Sequence, residues 1–93
     1  MKIIRRRYRF KGRVQGVGFR YKATYAARTL GLTGWVRNEY DGSVSMEVQG
    51  KAEYIDSLIY KLLADRIIEI DDMIVTEISP VPQLMEKTFR EKY

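Results

Sequence analysis

The chain contains neither cysteine nor histidine among its 93 residues. The absence of cysteine excludes a disulfide, a thiolate nucleophile and a Cys/His zinc site, and it fits a reducing compartment. The absence of histidine excludes general-base catalysis by an imidazole and a phosphohistidine intermediate. The chain also lacks an apolar run long enough to cross a bilayer, and its basic N-terminus lacks the apolar segment of a signal peptide. We therefore expect a cytoplasmic protein without a membrane partner.

Acidic residues are missing from the first 38 positions, which contain eleven lysines and arginines. The remaining six basic residues and all twelve acids follow from Glu39 onward, so a net charge of +5 divides into +11 and −6. Any single arginine of the first segment is most simply a solvated side chain. A whole segment without an acid biases the local field toward anions.

The size and composition of the chain fit one small globular domain. At 45% hydrophobic and 31% charged residues the composition is ordinary for such a domain. We expect a single domain over residues 1–93. A free-standing chain of this length is most simply a monomer.

The residue pattern predicts alternating strands and helices. Residues 4–14 alternate with period two, which indicates a half-buried strand. From Phe19 the apolar spacing becomes helical until about Leu30, and Gly31 stands at the usual C-terminal position of a helix. Residues 34–38 and 44–48 flank an Asp-Gly turn and predict a β-hairpin. A second helix over residues 55–63, an extended segment over residues 68–78 and a possible short edge strand near the end follow.

The order β-α-β-β-α-β predicts an α+β fold of the ferredoxin-like type. In this fold an antiparallel sheet carries two helices on one face. The segment over residues 87–93 adds a possible short fifth strand.

The segment Gly12-Arg13-Val14-Gln15-Gly16-Val17-Gly18-Phe19-Arg20 lies between the first strand and the first helix. A glycine-spaced loop can turn several backbone N–H groups around an anion, and the arginine adds a fixed positive charge. The loop matches neither the dinucleotide fingerprint nor a Walker loop. The alternative is a strand-to-helix turn that needs glycine only for its backbone.

A second motif changes the interpretation of this loop. Gly34-Trp35-Val36-Arg37-Asn38 precedes the hairpin turn, and Gly42-Ser43-Val44 follows after a short gap. Together with Gln15-Gly16-Val17-Gly18-Phe19-Arg20, these residues resemble the paired motifs of the acylphosphatase family at the family's spacing. The resemblance extends from about residue 8 to residue 93 and includes the ending Phe89-Arg90-Glu91-Lys92-Tyr93.

The resemblance implies metal-independent hydrolysis of a small acyl phosphate to a carboxylate and inorganic phosphate, without a cofactor. It assigns phosphate binding to Arg20 and to the backbone N–H groups of residues Gln15, Gly16, Val17, Gly18, Phe19 and Arg20. It assigns the orientation of the attacking water to Asn38. Inorganic phosphate and other anions are the expected ligands, and no nucleic acid is expected as a partner.

The chemistry of these residue types agrees with that assignment. The carboxylate released from an acyl phosphate has a parent acid with a pKa of about 4, so it leaves without a general acid. Phosphoryl transfer depends mainly on positioning and on charge stabilisation. Arginine can grip two phosphate oxygens and stays charged at any working pH. Asn38 is a poor base, so the water can give its proton to the phosphate itself.

Two other functions use the same order of elements. An RNA-recognition domain needs aromatic residues on its third strand, and residues 44–49 contain none. A regulatory module that only binds a small anion would not need the amide of Asn38 to place a water.

One segment departs from the family pattern. Residues 64–68 read Ala-Asp-Arg-Ile-Ile where a Gly-Pro-rich link is expected. The second helix therefore runs longer, or the turn after it differs.

Overall fold

The computed structural model describes residues 2–93. Within this range the chain forms five strands and two α-helices. In chain order they are β1 (Ile4–Arg13), α1 (Phe19–Thr29), β2 (Thr33–Asn38), β3 (Val44–Gly50), α2 (Ala52–Leu63), β4 (Glu69–Ile78) and β5 (Phe89–Lys92). The predicted ferredoxin-like order is confirmed, and the fifth strand forms. No helix in this part of the chain is long and apolar enough to cross a membrane.

The five strands form one sheet in the order β4-β1-β3-β2-β5. The first four strands pair antiparallel, as predicted, whereas β5 runs parallel to β2 and makes the sheet mixed. Residues 79–88 carry the chain from the edge at β4 to the opposite edge, where Phe89 pairs with Gly34 near the start of β2, so β5 runs in the same direction as β2. A single turn of 3-10 helix, Gln83–Met85, lies within this connection.

The hydrophobic core lies between the helices and one face of the sheet. Inward side chains of alternate strand positions meet the apolar faces of α1 and α2. The fully buried members of this core include Phe10, Val36, Met46, Phe19, Ala23 and Leu58. Period two along β1 and period 3.6 along the helices therefore predict the right buried sides.

Arg5 is an exception to the predicted basic face of β1. Its neighbours Arg7 and Lys11 are exposed, but Arg5 itself is only 2% exposed. Its guanidinium donates to the carboxylates of Glu47 and Glu86, and it also donates to the side-chain oxygen of Gln49. The connection that contains Glu86 covers Arg5, and period two along one strand gives no sign of that cover.

The turn after α2 resolves the departure at residues 64–68. The helix ends at Leu63, so it does not run longer. The carboxylate of Asp65 accepts hydrogen bonds from the backbone N–H groups of Ile67 and Ile68, at 2.8 and 3.0 Å. These bonds lower the pKa of Asp65. An aspartate-centred turn therefore does what a Gly-Pro link would do.

The pairing of β1 with β4 contains a bulge. Lys11 lies opposite Asp72, but Gly12 lies opposite Ile70, so one residue of β4 is left over. Gly12 has a φ of 131°, and a Cβ at this position would collide with the carbonyl oxygen of Glu69. The first glycine of the loop motif is thus required by close strand packing. It lies before the loop that follows β1.

Candidate functional site

Residues 14–18 join β1 to α1 and form the floor of the candidate site. Gly16 and Gly18 have φ values of 74° and 78°, in the left-handed region that glycine adopts without a steric penalty. Val17 between them does not have a positive φ. When residues with positive and negative φ alternate along a loop, successive backbone N–H groups point into one concavity, which suits an anion.

The backbone donors of this loop have no partners among the residues that the structure describes. Within residues 2–93, the N–H groups of residues 15–19 donate no hydrogen bond. The first bond of α1 runs from the N–H of Lys22 to the carbonyl of Gly18, at 2.9 Å. The loop therefore leads directly into the positive end of α1, whose first turn carries no acid.

Arg20 lies in the first turn of α1, and its side chain is held by the last two residues of the chain. One nitrogen, Nη1, donates to the carbonyl oxygen of Lys92 at 3.3 Å. The guanidinium carbon lies 4.5 Å from the centre of the Tyr93 ring. Both contacts come from the last strand and the residue after it. They restrain the side chain and leave most of the five guanidinium donors available.

Asn38 is the last residue of β2, opposite Val44 at the base of the hairpin turn. The fold brings it to the loop, although the two motifs are separated in sequence by the whole of α1. Gly16, Gly18, Arg20 and Asn38 line one cavity of about 230 Å³. An anion held by the loop would therefore lie beside the Asn38 amide.

The Gln15 side chain ties the loop to the hairpin turn. Its amide nitrogen donates to the carbonyl oxygens of Glu39 and Ser43, at 2.8 and 2.9 Å. The N–H of Glu39 in turn donates to the carbonyl of Ser43 at 2.9 Å. These bonds fix the distance between the loop and the strand end that carries Asn38. The side chain of Gln15 therefore has a positioning role that the sequence did not indicate.

The hairpin turn itself is stiffened by Asp41. Its carboxylate accepts from the backbone N–H and the hydroxyl of Ser43, at 2.9 and 2.6 Å, and from Arg9 at 2.9 Å. These bonds lower the pKa of Asp41 to about 2, with the Ser43 hydroxyl as the largest cause. Asn38 thus projects from a turn with a defined shape.

The remaining predicted loop residues have different surroundings. Phe19 is buried in the core against Phe10, with ring centres 5.0 Å apart, and it also contributes to the cavity wall. The side chain of Val17 is partly buried against the core and does not line the cavity. Gln15 does not line it either. Their predicted contribution is made by backbone N–H groups, which do not depend on the side chain.

Sequence reasoning missed one charged residue of this cavity. Glu91, on β5, lines it together with Arg20 and Asn38. The signal was available, because Phe89 is buried and period two places residue 91 on the same side of the strand. Its carboxylate introduces a negative charge into a cavity that is otherwise suited to anions.

Acidic side chains do not gather elsewhere into a metal site. In the part of the chain that the structure describes, no group of three or more acidic residues is arranged to hold a metal ion. Asp71 and Asp72 lie at the bulge of β4, and both are exposed.

The sequence is similar to those of known acylphosphatases. The sequence model of the acylphosphatase family matches residues 6–90. An acylphosphatase of Oceanobacillus iheyensis is 40% identical over 85 residues, which cover 89% of this chain and 91% of that protein. An acylphosphatase of Thermococcus kodakarensis is 49% identical over 59 residues, 63% of this chain and 65% of that protein. The chain thus spans just under two thirds of the second relative.

The fold agrees with that of a solved relative. The crystal structure of acylphosphatase from Bacillus subtilis superposes with a TM-score of 0.87 at 31% identity. The superposition covers 97% of this chain and 99% of that chain. The family match, the sequence identity over most of the chain and the shared fold all point the same way: the chain belongs to the acylphosphatase family.

Proposed function

We propose that this chain hydrolyses small acyl phosphates to a carboxylate and inorganic phosphate, without a metal ion. The observation that carries the proposal is the meeting of Gly16, Gly18, Arg20 and Asn38 in one cavity of about 230 Å³. Each contributes a group that this reaction needs: backbone donors, a fixed positive charge and a neutral amide.

The phosphoryl group binds to the loop and to Arg20. The N–H groups of residues 15–19, which donate to no group within residues 2–93, and the first turn of α1 hold its oxygens. Arg20, restrained by Lys92 and Tyr93, offers two parallel donors to two of those oxygens. These donors are fixed before the reaction, so they stabilise the charge that moves onto the phosphoryl oxygens without rearrangement. Positive charge is thus available at the phosphate without a bound cation.

The attacking water is held by Asn38. The side-chain carbonyl oxygen of Asn38 accepts a hydrogen bond from the water. This bond orients the water so that a lone pair of the water oxygen points toward phosphorus. A bond forms between that oxygen and phosphorus, and the bond between phosphorus and the acyl oxygen breaks. Its electron pair leaves with the carboxylate, and the proton of the water passes to a phosphate oxygen. The carboxylate needs no proton, because the pKa of its acid is about 4.

The side chains on the open face of β3 argue against a nucleic-acid partner. The side chains of β3 that face away from the helices are those of Ser45, Glu47 and Gln49, so this strand offers no aromatic platform for a base. We therefore propose that nucleic acid is not a partner of this protein.

One core cluster, built from both helices and the sheet, supports a single domain. We also propose that the protein acts as a monomer in the cytoplasm.

The direct test is hydrolysis of acetyl phosphate and benzoyl phosphate by the purified chain, with and without a strong chelator. Release of inorganic phosphate that the chelator leaves unchanged is the expected result. Activity lost on chelation and restored by a divalent ion would contradict the metal-independent mechanism. Binding of inorganic phosphate without any turnover would instead favour the anion-binding alternative.

Two variants separate the roles of Arg20 and Asn38. Asn38→Ala should lower kcat by about 100-fold or more, while the inhibition constant of inorganic phosphate changes little. Arg20→Ala should weaken phosphate binding and lower kcat together, because it removes the charge that holds the phosphoryl group. Gln83→Ala, which removes an exposed amide outside the cavity, is the matched control. Near-normal turnover in Asn38→Ala would show that its amide does not place the water.

A further inference from the structure

A second cavity lies directly beside the one that holds Arg20. It has a volume of about 580 Å³ and is lined by Arg37, Asn38, Glu39, Tyr40 and Tyr93. Asn38 forms part of the wall of both cavities. Tyr93 also connects them, because its ring lies against the guanidinium of Arg20. A group attached to a phosphate in the first cavity can therefore extend directly into the second.

Two exposed tyrosines give the second cavity its character. Tyr40 is fully exposed at the hairpin turn, and Tyr93 is 92% exposed. They are 53 positions apart in the sequence, yet they line the same hollow. Small-molecule sites are typically hollows of this size lined by aromatic side chains with a few polar groups. Tyrosine rings bind another ring well, by stacking or edge-to-face contact.

The charged residues of the second cavity neutralise each other. Arg37 donates to the carboxylate of Glu39 at 3.1 Å. Hydrogen bonds from Ser45 and Arg37 lower the pKa of Glu39, so this pair stays ionised and internally compensated at neutral pH. The hollow therefore offers no free positive charge for a second anionic group, in contrast to the cavity around Arg20.

We propose that this second cavity is the acyl-group subsite, and that it selects an uncharged aromatic acyl group held between Tyr40 and Tyr93. The proposal rests on the proposed function, because it assumes that the phosphate occupies the loop beside Arg20. The two rings bind the acyl group, whereas the phosphate cradle is common to all acyl phosphates. An aromatic acyl phosphate is thus preferred to an aliphatic one and to one that carries a second negative charge.

The test compares two non-hydrolysable ligands, benzoylphosphonate and acetylphosphonate, by titration calorimetry with the full chain. The wild type should bind benzoylphosphonate more tightly. In Tyr40→Ser the ratio of the two affinities should fall by about three- to tenfold, which is the worth of one aromatic contact. Tyr40→Phe should retain the ratio, because the ring carries the contact. Tyr60→Ser, which removes another exposed tyrosine ring from α2, outside the cavity, should leave the ratio unchanged.

A different result is expected for Tyr93, because its ring also contacts the guanidinium of Arg20. Tyr93→Ser should weaken both ligands and weaken benzoylphosphonate more. Equal affinity of the wild type for both ligands, or an unchanged ratio in Tyr40→Ser, would overturn the subsite. Selective, Tyr40-dependent binding of benzoylphosphonate by a chain that hydrolyses no acyl phosphate would keep the subsite and refute only the proposed function.

Discussion

The phosphate cavity contains one carboxylate as well as the guanidinium of Arg20. Glu91 lines it beside Arg20, and the side chain is half-buried. The closest interactions of Arg20 in the described residues are with a carbonyl oxygen and an aromatic ring, so Glu91 does not neutralise it as an ion pair. A negative charge near a bound phosphate repels it. We infer that Glu91 weakens the binding of the product phosphate and so favours its release.

The substitution Glu91→Gln tests this at the residue scale. Removing the charge while keeping the shape should tighten competitive inhibition by inorganic phosphate by about three- to tenfold, since the repulsion of two partly solvated charges is of that size. The effect should shrink at high ionic strength. Inhibition is measured against acetyl phosphate hydrolysis at low and high salt.

Glu77→Gln is the control for Glu91→Gln. It makes the same change in net charge at an exposed position of β4, outside the cavity. Phosphate inhibition that stayed unchanged in Glu91→Gln, or that rose equally in both variants, would show that Glu91 does not act on the bound phosphate.

At the scale of elements, the connection between β4 and β5 is anchored on the open face of the sheet. Arg5 binds both carboxylate oxygens of Glu86, at 2.8 and 3.1 Å. The Gln49 side chain accepts from the N–H of Val81 and donates to its carbonyl, at 2.8 and 2.9 Å. These contacts hold the segment that delivers β5 to the far edge of the sheet. Because β5 carries Glu91 and leads to Tyr93, the anchor also positions part of the site.

The substitution Arg5→Ala should therefore destabilise the protein strongly. It leaves the carboxylates of Glu47 and Glu86 without their buried partner, and such a loss typically costs about 3–5 kcal/mol. Arg7→Ala is the matched control, because Arg7 is largely exposed and its pair with Glu47 should contribute less than about 1 kcal/mol. Urea unfolding measures both variants. Equal losses in the two would show that the buried anchor has no special role.

At the scale of the whole molecule, the uneven distribution of charge along the sequence is compensated by the fold. Each of the seven ion pairs in the described residues joins a basic residue of the first 38 positions to an acid from the later part of the chain. The sequence explains this, because every acid follows position 38, and the fold brings six of those acids to basic residues of β1, α1 and β2. Six of the eleven basic residues of this segment form such pairs, whereas Arg20 forms none within residues 2–93.

The same pairing predicts how stability depends on pH. Hydrogen bonds lower the pKa values of Asp41, Glu39 and Asp65, with that of Asp41 near 2. A lowered carboxyl pKa stabilises the folded state above the unfolded value, about 4, and this contribution is lost as the pH falls through the folded value. The chain has no histidine to titrate near neutrality. The free energy of unfolding should thus be nearly constant from about pH 5 to pH 8 and fall below about pH 4.

Urea unfolding at a series of pH values measures this profile. Asp41→Asn should remove part of the acid-dependent loss, whereas Glu77→Gln should retain it. A stability that changed steeply between about pH 5 and pH 8, or an identical acid limb in Asp41→Asn, would contradict the assignment.

The local elements and the two motifs could be predicted from the sequence. Periodicity placed the strands and helices because one face of each must be apolar, and glycines marked the loop because only they adopt its backbone readily. The loop motif indicated Arg20 as a candidate, and the resemblance to the acylphosphatase family indicated Asn38. These are properties of neighbouring residues, so they can be recognised along the chain without knowledge of its path.

The contacts between distant parts of the chain could not be predicted in this way and depend on how the elements pack. The tertiary structure buried Arg5 beneath a distant connection, made β5 parallel and put Glu91 into the phosphate cavity. It also placed Tyr40 and Tyr93 around one hollow. Each of these features joins elements that are far apart in the sequence. The packing of the complete sheet sets how those elements meet. A local pattern records which side of a strand is apolar, but not which distant residue will face it.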